Sequence, residues 1–136
     1  LPTPYSPASP ASPTPDSRLP SAIDAKVLQS FRDMVGESAD LVLAEMIDCY
    51  LEDAPKLLGA IATAATQQDA KLLRQASHTL KSSSSTIGAI TLSDLCNKLE
   101  VMSRIGNTDY ALDKLPQLEA EYGKVEAALQ VHRQQI

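Results

Sequence analysis

Tryptophan is absent, and aromatics total one phenylalanine and four tyrosines. So few aromatics, with only 5 glycines in 136 residues, argue against an aromatic-rich β-sandwich. No run of 18 apolar residues occurs, so no segment reads as a membrane-spanning helix. Positive charge is scarce: 12 Lys and Arg stand against 17 Asp and Glu, a formal charge of −5. That balance argues against a nucleic-acid binder, which needs a basic face, and supplies no polybasic segment for anionic lipid. Only two cysteines are present, Cys49 and Cys96, too far apart for a C-x-x-C pair. Both fall in apolar periodic stretches and are expected as buried, reduced thiols.

What the chain does have is Ala and Leu, 18 of each, a mixture that favours helix. Seven of the 9 prolines crowd into residues 1–20, LPTPYSPASPASPTPDSRLP. That stretch cannot bury enough apolar surface to fold, and it reads as an extended polyproline spacer linking domains. Its PxxP spacings also fit an SH3-like groove, a minor alternative. The opening residues lack a basic segment followed by an apolar one, so they do not read as a signal peptide; starting at Leu1 without Met, the chain is expected to be a fragment or a processed product. Residues 21–136 are left as one domain of ordinary size.

From residue 21 the apolar residues recur with a helical period. Asp24 caps a first helix with stripe Val27, Leu28, Phe31 and Val35, stopped by Gly36. A second is expected from Ser38 to Asp53, and a third from Pro55, whose missing N–H suits a first turn. Asp69 caps a fourth, ending near Ile87 before Gly88. Thr91-x-x-Asp94 reads as a capping box for a fifth, with stripe Leu92, Leu95, Cys96, Leu99, Met102 and Ile105. The last runs from Asp109 to Gln134 on Leu112, Leu115, Leu118, Tyr122, Val125 and Leu129, with Pro116 expected to kink or restart it. No segment alternates with period two. Short loops between helices give antiparallel neighbours, so the expected fold is all-α: an antiparallel up-down four-helix bundle with additional N- and C-terminal helical segments.

The fourth helix carries the unusual chemistry. With His78 at zero and 100° per residue, Leu73, Ala76, Leu80 and Ile87 fall between about 160° and 220°, while Lys71, Arg74, Lys81, Ser82 and Ser85 fall within about 60° of zero. His78 therefore faces solvent, opposite the core, among three cations and with no carboxylate on its face of the helix. A random surface histidine remains one reading. The other is a nucleophile: a neutral imidazole exposes a nitrogen lone pair, and the cations around it attract anions. Ser82 and Ser85 are short enough to let a partner approach. Ser83 and Ser84 turn inward, toward helix packing. His132 is the only other histidine and no cluster has metal-ligand spacing, so no metal site is expected. No Gly-rich phosphate loop and no G-x-S-x-G elbow are present.

His78-Thr79-Leu80-Lys81-Ser82-Ser83-Ser84-Ser85-Thr86-Ile87-Gly88-Ala89, followed by Leu92-x-x-Leu95-Cys96-x-x-Leu99-Glu100, closely resembles the signature of the histidine phosphotransfer (HPt) domain. The resemblance spans about residues 22–130. It implies a four-helix bundle that carries phosphate in two-component signalling. His78 would be the phosphoacceptor, taking a phosphoryl group on Nε2 from a receiver-domain aspartate and passing it to another receiver. Lys81 would steady the phosphoryl charge, with Arg74, Ser82, Ser85 and Lys71 as binding residues. Ser82 departs from the family's usual glycine, which implies slower or more partner-selective transfer. The chain would be a carrier, not an enzyme in its own right, and would hold no cofactor, with Mg²⁺ supplied by the receiver. Its partners would be response-regulator receiver domains, without nucleic acid or direct membrane contact. It would be monomeric and cytoplasmic. The proline-rich stretch suits a module at the C-terminal end of a hybrid sensor kinase, tethered behind a receiver. The alternative is a helical adaptor that docks receivers without carrying phosphate. A kinase dimerisation segment is disfavoured, because no H-E-x-x-T/N-P pattern surrounds His78.

Overall fold

The structure is a computed structural model, and it describes residues 22–136. The linker expected over residues 1–20 lies outside the described residues. Five α-helices follow in order: α1 (Ala25–Val35), α2 (Ala39–Gln67), α3 (Ala70–Ile87), α4 (Ile90–Arg104) and α5 (Asp109–Gln134), with a single 3-10 turn, Gly36–Ser38, between the first two. Helices α2 to α5 form the antiparallel bundle. Each neighbouring pair packs together, α2 on α3, α3 on α4, α4 on α5 and α5 on α2. α1 is the additional N-terminal segment, and the C-terminal one is the end of α5, where Arg133 Nε donates to Asp48 Oδ1 at 3.0 Å.

The helix ends show why this chain breaks where it does. Asp24 accepts from the Lys26 N–H at 2.9 Å and Asp69 from the Leu72 N–H at 3.0 Å, each satisfying an amide that the first turn leaves free. Gly88 closes α3 in the left-handed region, φ 90°, where a side chain is disfavoured. The Ala89 N–H then returns to the Ser84 carbonyl at 2.7 Å, and α4 begins at once. Thr91 is therefore already inside the first turn, Ala89 occupies the cap position, and the expected Thr91–Asp94 capping box does not form.

Two prolines lie inside helices, and one of them departs from expectation. α2 runs unbroken through Pro55, so the two helices expected over Ser38–Asp53 and from Pro55 are one. α5 likewise continues through Pro116. An interior proline deletes one backbone bond and costs about 3 kcal/mol. Packing on both sides offsets it: Ile47, Tyr50 and Ala54 before Pro55, and Ile61, Ala64 and Ala65 after it, are buried in the same core. Both prolines are exposed, so neither ring intrudes on the core.

The core gathers residues from every helix, including Leu28, Leu43, Ile61, Leu73, Leu80, Leu92, Leu99, Leu118 and Leu129. Each such side chain contributes about 1.5–3 kcal/mol by leaving water. The Tyr50 hydroxyl meets the Ser84 hydroxyl at 2.8 Å inside this core, so the inward-facing serine is a partnered polar group tying α2 to α3. Three stripe expectations fail at the margins. Ile105 and Leu112 are exposed, one at the C-cap just past the end of α4 and the other on the outer side of α5. Cys49 is exposed too, while Cys96 is buried. Burial pushes the Cys96 thiol up to about 12, against the opposing charge of Lys81, so it stays protonated.

Candidate functional site

His78 projects from the middle of α3 with its side chain 58% exposed. The helix places it opposite Leu73, Ala76 and Leu80, all buried, as the angular argument requires. Its ring is nevertheless not free. Nδ1 lies 3.0 Å from Oε2 of Glu100, a residue of α4 that is 2% exposed. The other carboxylate oxygen, Oε1, is 2.7 Å from Lys81 Nζ. Arg104, one turn after Glu100 on α4, donates from Nη2 to Oε2 at 2.7 Å. A single buried carboxylate thus binds an imidazole, an ammonium and a guanidinium.

The protonation pattern follows from chemistry. Burial would raise the Glu100 carboxyl, but hydrogen bonds and charge from Lys81 and His78 outweigh it and hold the group below its ordinary value. An ionised carboxylate only accepts. The proton of a neutral His78 ring therefore sits on Nδ1, and Nε2 keeps its lone pair, pointing away from the acceptor. The site is a nucleophilic nitrogen of fixed tautomer and fixed ring orientation, exposed to a partner and beside two cations.

The structure brings together some of the residues expected from sequence. His78, Lys81 and Arg74 converge, with Arg74 lining the hollow beside the ring. Lys71, two turns earlier on α3, is exposed and does not line that hollow. Ser82 and Ser85 are exposed one and two turns after His78, and with Lys81, Thr86 and Ser93 they line a polar depression of about 400 Å³. No carboxylate of α3 shares the face of His78, but Glu100 reaches the ring from the neighbouring helix, which reading one helix did not foresee. Arg104 was also missed. A signal for Glu100 was present, since it lies about 40° from Cys96 on α4, on the buried stripe. A carboxylate there requires partners.

Among the described residues, no group of three His, Cys, Asp or Glu side chains is placed to hold a metal. No helix among them is long and apolar enough to cross a membrane.

The fold is thus a helical bundle that presents one histidine to solvent, held at Nδ1, with a lysine one turn on. The Hpt domain family model matches residues 45–128, well over half of the chain, and the chain belongs to that family. Among solved structures, it is similar to the crystal structure of histidine-containing phosphotransfer protein B (HptB) from Pseudomonas aeruginosa PAO1. The TM-score is 0.75 at 27% identity, over 85% of this chain and 96% of that one. No curated protein matches it at a significant level. Members of the family are phosphocarriers in phosphorelays, not ATP-dependent enzymes, and they work with receiver domains of response regulators.

Proposed function

We propose that His78 is the phosphoacceptor of this carrier, loaded by the phosphoaspartate of one receiver domain and discharged to the aspartate of another. The observation that carries this reading is the Nδ1 contact to buried Glu100, which leaves Nε2 as the free nucleophile. In the forward step the Nε2 lone pair attacks phosphorus, the bond to the aspartyl oxygen breaks, and the carboxylate leaves with its electrons. The Nδ1 proton stays where it is, and Glu100 balances the positive charge that the ring acquires. Lys81 faces the phosphoryl oxygens, while Arg74, Ser82, Ser85 and Lys71 border the surface a receiver would cover.

Transfer of this kind depends on positioning and on neutralising charge. Glu100 has both oxygens engaged by cations, so the residues beside His78 do not fit a divalent metal. Mg²⁺ would arrive with the receiver. Such a carrier needs no cofactor of its own and works as a cytoplasmic monomer.

The test is incubation with a phosphorylated receiver, followed by acid and base treatment of the labelled chain. Wild type should take up acid-labile, base-stable phosphate, and His78→Gln should take up none while its helical circular dichroism is unchanged. Labelling that survives the substitution overturns the assignment. Signalling that survives without any labelling would instead identify a docking adaptor.

A further inference from the structure

The flank of His78 that faces α4 holds more positive charge than one acceptor lysine provides. A hollow of about 250 Å³ opens there, lined by Arg74, Gln75, His78, Glu100 and Arg104. Arg104 uses Nη2 on Glu100, and its side chain is 60% exposed, so its remaining donors open toward solvent at the hollow. Because Arg104 Nη2 and His78 Nδ1 bond the same oxygen, they are less than about 6 Å apart. Arg74 stands one turn before His78 on the same face of α3, exposed; its carbonyl accepts from the Ser77 hydroxyl, and its guanidinium has no hydrogen bond or ion pair among the described residues. Lys81, Arg74 and Arg104 against Glu100 leave this cluster with a net charge of +2 on a chain whose total is −5. A phosphoryl dianion would neutralise it. Guanidinium groups suit that role, since their planar fork matches two phosphoryl oxygens at once.

We propose that Arg104 and Arg74 form a second phosphoryl-holding pair, across the ring from Lys81, that lengthens the life of the phosphohistidine. This rests on His78 being the acceptor. The direction follows from the transition state: loss of the group passes through a metaphosphate-like species, which carries less negative charge on its oxygens than the bound dianion. Cations on those oxygens therefore hold the loaded state more than they help it break.

The test needs no receiver. Phosphoramidate loads the chain directly: Nε2 attacks phosphorus, the P–N bond breaks, and ammonia leaves with the electron pair while the proton on Nδ1 stays there, hydrogen-bonded to Glu100. After removal of the reagent, decay of the phosphohistidine signal is followed by ³¹P NMR in wild type, Arg104→Gln, Arg74→Gln, the double variant and Arg104→Lys. The double variant should decay about tenfold faster, each single variant less so, and Arg104→Lys should recover part of the loss. Imidazole ¹⁵N shifts of the unloaded Arg104→Gln chain should still report the Nδ1–H tautomer, because Lys81 continues to hold Glu100. Equal lifetimes in wild type and the double variant overturn the pair. So does a shortened life that appears only where the tautomer is lost, since Arg104 would then act through Glu100 alone. A wild-type chain that takes no phosphate on His78 overturns the proposed function itself, and that outcome is distinct from loading with unchanged decay.

Discussion

At Glu100, burial and pairing pull in opposite directions. Burial favours the neutral acid, while hydrogen bonds and charge from Lys81 and His78 favour the carboxylate and prevail, so the folded group titrates below its ordinary 4.5. The sign of the pH dependence follows. Stability from the ionised form is whole above about pH 4.5 and is lost as the pH falls through the lower folded value, because between the two only the unfolded chain binds the proton. Urea midpoints taken from pH 7 to pH 3 should show Glu100→Gln less stable at neutral pH by about 1–3 kcal/mol, with the gap closing in acid. Curves that run parallel would mean the charge of Glu100 contributes nothing to folding. The residue also marks the limit of reading a site from one helix. His78 was legible because its exposure depends only on angles within α3. Its partner was not, because Glu100 comes from α4, 22 positions later, and only the packing of α4 on α3 decides that the two meet. Lys71 illustrates the same limit from the other side: it shares the face of His78, yet distance along the axis keeps it out of the hollow, and Arg104 takes its place.

Among the elements, the corner between α3 and α4 does two jobs at one glycine. Gly88 adopts φ 90°, and its carbonyl accepts the Asp24 N–H at 2.8 Å, latching the start of α1. A Cβ at that position would lie 3.1 Å from the Asp24 carbonyl oxygen and 3.3 Å from Val27 Cβ. Gly36 has a similar φ of 80°, but a Cβ there would meet nothing within 4 Å. Gly36 has ψ −133°, a combination other residues avoid, so Gly36→Ala should cost about 1–3 kcal/mol of backbone strain alone, while Gly88→Ala, at ψ 9°, should lose about 1–3 kcal/mol largely because α1 must also move. Hydrogen exchange of the α1 amides tests the contact, and a Gly88→Ala chain whose α1 stays as protected as in wild type would remove it from the account. Caps of this kind are local, which is why the limits of α1 and α3 could be read from Asp24, Gly36, Asp69 and Gly88. Pro55 could not be read so. Its local preference is to begin or end a helix, and it is overridden by burial on both sides that no short window contains. The start of α4 was misplaced because Gly88 and Ala89 close one helix and open the next without an intervening cap.

For the whole molecule, the charge of −5 and the apolar stripes specified an acidic helical bundle, and its core draws on every helix, though not equally. α1 is its weakest member. Of its own residues only Leu28 is buried, with Ile23 just before it, whereas α3 alone buries Leu73, Ala76, Leu80 and Ile87. Opening α1 exposes Leu28 and Ile23, at about 1.5–3 kcal/mol each, and breaks the latch at Gly88. Opening α3 forfeits contacts with both α2 and α4, and that amounts to unfolding the bundle. Native-state hydrogen exchange should therefore divide the amides into two groups. Those in the middle of α1 should exchange at least about tenfold faster than those around Leu80, with little dependence on added urea, because their opening uncovers little surface. Those of α3 should follow the global unfolding free energy and its full urea dependence. Since His78, Lys81, Glu100 and Arg104 all lie on α3 and α4, the faster opening leaves this cluster assembled, and His78 ¹⁵N shifts should not change across the urea range in which only α1 opens. Equal protection of α1 and α3 would refute the division, and a tautomer change in that range would show that α1 supports the site after all.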